Sequence, residues 1–177
     1  LKKIDRIQDK RPLWALFTLL VLSLVSGCGY HVAGKSGTMP GDIKSVTIPV
    51  FANATVKPDI EGIITSAFVS EFVTTLPVKK DAEAEMLGKI LSYSLRGVSF
   101  TSNDVTQEYR LSVLVSITLR DRKDGHIIWQ DKGVSDYEDF KVDTTDVTRT
   151  EETEIEAFKK LSVDMARKVK ERMLEGF

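Results

Sequence analysis

Residues 109–119 read "YRLSVLVSITL". Tyr109, Leu111, Val113, Val115, Ile117 and Leu119 recur at every second position, against Arg110, Ser112, Ser116, Thr118 and Arg120 between them; Leu114 is the one break. A period of two puts alternate side chains on opposite faces of an extended chain, so this is a strand with an apolar and a polar side. A strand buried on both sides would be apolar throughout. The alternation predicts one face against a core and the other against water or a partner.

The neighbouring segments extend the sheet in both directions. Asp124-Gly125 in "DRKDGH" is a hairpin signal, and "IIWQDKGVSDYEDF" (127–140) is the returning strand, with Trp129 at a core or interface position. Upstream, "MLGKILSYSLRGVSF" (86–100) reads as a strand with Leu87, Leu91, Tyr93 and Leu95 on one face and Met86, Gly88 and Ile90 on the other. The polar loop "TSNDVT" joins it to the central strand. These three strands should form an antiparallel meander. Earlier, Val46, Ile48 and Val50 alternate in "IKSVTIPVF", a further strand that Pro49 confines to an edge or terminates.

Two segments have helical spacing. After the turn "ANATVKP", with Pro58-Asp59 suited to a helix start, Ile60, Ile63, Ile64, Ala67, Phe68 and Phe72 form one stripe that ends before Pro77. Thr148 and Glu151 match a capping box. A long helix then carries Ile155, Phe158, Leu161, Met165, Val169 and Met173 on one side, with acids at its start and bases at its end, as the helix dipole favours. The order βαβββα predicts an α+β two-layer sandwich. A four-stranded, mostly antiparallel or mixed sheet is packed by two helices, and the helix that joins the first two strands leaves a parallel pairing open to them.

The N-terminal part is different. Residues 1–27 carry a net +3 and the remaining chain −4, so the body has no general attraction to nucleic acid or anionic surfaces. "LWALFTLLVLSLV" (13–25) has no charge. As a helix it would span about 20 Å against roughly 30 Å of bilayer hydrocarbon, which suits the core of a secretion signal better than a permanent span. The alternative is an N-terminal anchor helix that stays attached. The sole cysteine, Cys28, follows Val25-Ser26-Gly27, which resembles a bacterial lipobox. In that motif small residues fit the lipoprotein signal peptidase, the thiol takes a diacylglyceryl group, and cleavage leaves the cysteine first, to be N-acylated, commonly with palmitate. The alternative is a buried structural cysteine. The expected organisation is a signal peptide at 1–27, a lipidated glycine-rich tether at 28–42 and an α/β domain at 43–177. No cofactor is expected apart from the lipid on Cys28. Gly29 rather than Asp after the cysteine leans towards the outer membrane.

With the elements placed, the chain resembles the lipopolysaccharide-assembly lipoproteins of the LptE family. The likeness lies in "CGYH" (28–31), "IPVFANATVKPDIEGIITSAFVSEF" (48–72), "AEMLGKILSY" (84–93), "QEYRLSVLVSITLRD" (107–121) and "AFKKLSVDMARKV" (157–169), in that order. The resemblance implies a non-enzymatic lipoprotein anchored on the periplasmic side of the outer membrane. It would plug and help assemble the LptD β-barrel and assist lipopolysaccharide insertion into the outer leaflet; some members bind lipopolysaccharide directly. Basic residues credited with that contact in the family have no counterpart in "FTSNDVTQEY". Arg96, Arg110 and Arg120 are candidates only because a phosphorylated lipid needs cationic donors. The early "IPVFANAT" segment is shared in outline with regulatory and secretion lipoproteins, such as peptidoglycan-synthase activators and curli-secretion proteins, which form the alternative reading. No catalytic or metal set is expected: His31 and His126 are 95 positions apart, and the acidic run Asp136, Glu138, Asp139 alternates like a strand face.

Overall fold

Three long strands make most of one sheet: β3 (Ala84–Phe100), β4 (Thr106–Asp121) and β5 (Ile127–Lys141), antiparallel in succession. Two short strands, β1 (Val46–Thr47) and β2 (Ala52–Asn53), lie along the start of β3 and parallel to it. Helix α1 (Ile60–Phe72) joins β2 to β3, and α2 (Val147–Leu174) closes the chain. The computed structural model describes residues 38–102 and 105–175; the expected signal segment, Cys28 and His31 lie outside them.

The α+β class, the two helices, the meander and the parallel pairing are as the sequence implies. The sheet, however, has five strands, because the expected first strand is broken. Thr47 stands opposite Glu85 and Ala52 opposite Lys89, so five steps on one chain match four on the other. The extra residue falls around Pro49, which has no N–H to give to a ladder. The slip moves Val50 to solvent, 67% exposed, and drives Phe51 into the core at 2%.

A second slip reverses the faces of β3. Ile90 pairs with Val115 and Ser92 with Leu114, leaving Leu91 as an extra residue. Before it, Ala84, Met86 and Ile90 face the core; after it, Tyr93 does, packed on Phe158 at 5.7 Å between ring centroids. Leu91 and Tyr93 therefore do not share the face their spacing suggests. On β4 the alternation is unbroken: Leu111, Val113, Val115, Ile117 and Leu119 are all buried.

Both helices cover the same side of the sheet. Ile60, Ile64, Phe68 and Phe72 of α1 and Phe158, Leu161, Met165, Val169 and Met173 of α2 enter the core. Met39, inside the stretch expected as tether, is also buried there. Two expectations for α2 change. Its N-cap is Asp146, whose carboxylate accepts the Arg149 N–H at 3.1 Å, not the Thr148–Glu151 box. Its stripe begins at Glu154, 7% exposed, rather than at Ile155, 43% exposed.

Candidate functional site

The turn between β2 and α1 is built by side chains. Asn53 accepts from the Thr55 N–H at 2.9 Å and from its hydroxyl at 2.8 Å, and donates to the Lys57 carbonyl at 2.7 Å and to Glu61 at 3.0 Å. Asn and Thr suit this work because short polar side chains can imitate backbone partners in a turn. Phe51 anchors the entry. Its N–H donates to the Thr65 hydroxyl at 3.0 Å, and its ring lies 4.9 Å from that of Phe68.

The turn delivers Lys57 to a buried carboxylate. Glu154 accepts the Tyr93 hydroxyl at 2.5 Å and pairs with Lys57 Nζ at 2.7 Å, while the ammonium stands 5.8 Å from the Tyr93 ring centroid. Burial first, then the hydrogen bond to Glu154 and its charge, push the Tyr93 phenol above its ordinary value. Removing a charge from water is costly unless it is paired, and here both donors reach the one carboxylate. The cluster locks α2, β3 and the turn together. Sequence reading passed over it, although Glu154 lies four positions before Phe158 on the apolar stripe, and an acid there was the available signal.

The acidic run on β5 is divided between two faces. Asp136 and Glu138 point to the helix layer and take Lys168, at 2.6 Å, and Lys160; Asp131 takes Arg172. Asp139 points the other way, to Arg110. Asp131, Asp136 and Glu138 and the bases of α2 thus bind the helix layer to the strand.

The face of the sheet away from the helices is polar and uncovered among the described residues. Its rows cross three strands: Glu85–Arg120–Ile127, Leu87–Thr118–Gln130, Ser92–Leu114–Ser135, Ser94–Ser112–Tyr137 and Arg96–Arg110–Asp139. A shallow groove runs over Ser92, Ser94, Ser112, Leu114, Ser135 and Tyr137. All three candidate arginines are on this face, but they do not form one site. Arg96 and Arg110 are directly opposite across β3 and β4; Arg120 is ten residues further along β4, about 33 Å away. Arg110 makes two 2.8 Å bonds to Asp139, which hold that carboxyl below the usual range, and its guanidinium lies 4.1 Å from the centre of the Tyr137 ring. Arg120 bonds Glu85 at 2.9 and 2.5 Å. Arg96 has no ion pair among the described residues.

His126 sits in the β4–β5 turn with Nδ1 2.7 Å from Asp124. Its backbone N–H, then its ring, hold the Asp124 carboxyl below the ordinary range. Asp121, Asp124 and His126 gather ligand-type atoms within 4.8 Å of one another. The Asp121 carboxylate already accepts the Lys123 N–H at 2.6 Å and the Asp124 carboxylate that of His126 at 3.0 Å, so the group does the work of a turn. No described helix is long and apolar enough to cross a membrane.

A family model described as LptE, lipopolysaccharide-assembly, matches residues 43–173, from just before β1 to the last turn of α2. Three solved structures are similar to this chain, two of them with a TM-score of 0.51. A Caulobacter crescentus protein assigned as a lipoprotein has 10% identity and a TM-score of 0.51, covering 72% of this chain and 92% of its own. The CT253 protein of Chlamydia trachomatis has 11% identity and a TM-score of 0.51, covering 73% and 96%. Rare lipoprotein B of Shewanella oneidensis has 10% identity and a TM-score of 0.47, covering 74% and 94%. A comparison with curated protein sequences found no match.

Proposed function

Because this chain belongs to the LptE family of lipopolysaccharide-assembly proteins, we propose that it is the lipoprotein plug of an LptD-like outer-membrane β-barrel. It works by binding, not by catalysis. Cys28 carries the lipid that fixes it to the periplasmic side of the outer membrane, and the domain assists lipopolysaccharide on its way to the outer leaflet. The observation that carries this reading is the family match over 43–173, which takes in both helices and all five strands.

The described surface suits such a role. A barrel lumen is lined by polar side chains, and the open sheet face offers serines, a threonine and paired charges to them. Paired charges and short hydroxyls can exchange hydrogen bonds with a polar wall without leaving a charge uncompensated. To bind Arg110 or Arg120, a lipopolysaccharide phosphate would have to displace Asp139 or Glu85.

The test is affinity purification of the tagged, full-length chain from crosslinked membranes, together with depletion of the protein in cells. Recovery of a large β-barrel and a fall in surface lipopolysaccharide are the expected results. Purification without any barrel overturns the proposal.

A further inference from the structure

The two edges of the sheet are defended unequally. Among the described strands β5 is an edge along its whole length, yet it carries Asp131, Lys132, Asp136, Glu138, Asp139 and Lys141 and two register shifts. Charges and bulges of this kind keep an edge from pairing with another chain. The outer side of β3 is covered by β1 and β2 only as far as Ile90, whose carbonyl accepts the Ala54 N–H at 3.0 Å. Beyond the bulge at Leu91, no described strand pairs with that side. The regular run Ser92–Gly97, "SYSLRG", contains no proline, no acid and a single base, Arg96. At about 20 Å it is as long as an ordinary strand. On its helix side Leu95 is 42% exposed; on its open side is Arg96, with Arg110 already satisfied by Asp139.

We infer that Ser92–Gly97 is a strand-pairing site for an extended segment of the barrel partner, one that places an acidic side chain opposite Arg96 and an apolar one opposite Leu95. This rests on the proposed barrel partnership. Charge complementarity selects the occupant. Strand addition supplies main-chain hydrogen bonds along the edge, and alternate side chains supply specificity. Arg96, with no ion pair among the described residues, favours a carboxylate across the new ladder. A second copy is the poorer fit, because antiparallel pairing of two β3 edges would bring two like-charged Arg96 side chains onto one face.

The experiment places a photo-crosslinking amino acid at Ser92, Ser94 or Arg96 of the full-length chain in its own cells and maps the joined residues by mass spectrometry. These three positions share the open face at steps of two. Pairing therefore requires the crosslinks to move along one short partner segment two residues at a time, towards or past an acidic residue. In the chain without the probe at that position, Arg96→Glu should lower crosslinking from Ser94 about tenfold, and reversing the partner's acid should restore it. Circular dichroism checks that the variant folds. Scattered or absent crosslinks, joining to a second copy, or joining to residues 1–37 of the same chain each overturn the inference. If a barrel still co-purifies in those cases, the proposed function stands; if no barrel is recovered by any route, it is the proposed function that has failed.

Discussion

Replacing Gly88 by alanine should destabilise the domain, against the usual direction of that change. In a strand interior glycine is about 0.5–1 kcal/mol worse than alanine, so with free space the substitution would help. Here a Cβ at position 88 would lie 2.3 Å from Cδ2 and Cε2 of Phe51. Carbon atoms settle at about 3.5–4.0 Å, so the ring must retreat by more than about 1 Å. It has little room: Phe51 is 2% exposed, backed by Phe68 at 4.9 Å and tied at its N–H to Thr65. Overpacking of this kind costs about 1–3 kcal/mol, and we expect a net loss of about 2 kcal/mol. For a domain of this size that is a fall of about 6–8 °C in Tm. Phe51→Ala alone should cost about 3–5 kcal/mol. In the double variant the new methyl enters the space the ring has left. The pair should then cost no more than Phe51→Ala by itself, a coupling of about 2 kcal/mol. Urea unfolding followed by far-ultraviolet circular dichroism measures all four corners of the cycle. A neutral or stabilising Gly88→Ala, or effects that add within about 0.5 kcal/mol, would refute the packing argument.

Other expectations follow from the buried cluster, the helix cap and the lipid site. The Tyr93 phenol is raised above its unfolded value of about 10, so the native state holds its proton longer; stability is fully present below pH 10 and falls as pH rises beyond it. Denaturant midpoints at rising alkaline pH should show this loss, and Tyr93→Phe should reduce the slope. Glu154→Leu removes the acceptor that Tyr93 and Lys57 share; the variant should melt lower, and a double-mutant cycle with Tyr93→Phe should show non-additivity. Asp146→Ala should cost about 1 kcal/mol in thermal unfolding, whereas Thr148→Ala, outside the cap, should cost much less. Cys28→Ser should leave the chain without lipid; mass spectrometry and membrane fractionation check this, and retention of a lipid-sized mass increment would count against the assignment.

The strand pattern at 109–119 was legible because β4 lies mid-sheet and has a single environment on each side. Its period of two survives unaltered into the burial of Leu111, Val113, Val115, Ile117 and Leu119. Helix stripes are local in the same sense, and Phe158, Leu161, Met165, Val169 and Met173 face inward as their spacing requires. The site was far less legible. Arg96, Arg110 and Arg120 were chosen for their chemistry, and their common face follows from strand alternation and register. Their unequal pairing depends on which residues of β3 and β5 stand beside them.

The βαβββα order, the antiparallel meander, the apolar sides of β4 and the helices, and a lipobox-like placement of the lone cysteine are each written in the spacing of neighbouring residues. The bulges at Pro49 and Leu91, the inward turns of Phe51 and Tyr93, the Tyr93–Glu154–Lys57 lock and the open edge of β3 depend instead on contacts between distant segments. A strand's faces exchange with a one-residue slip, and slips are settled by partners far away in the chain. Phe51 turns inward where Gly88 leaves room for its ring, and Glu154 is accommodated in the interior because Lys57 and Tyr93 are brought to it.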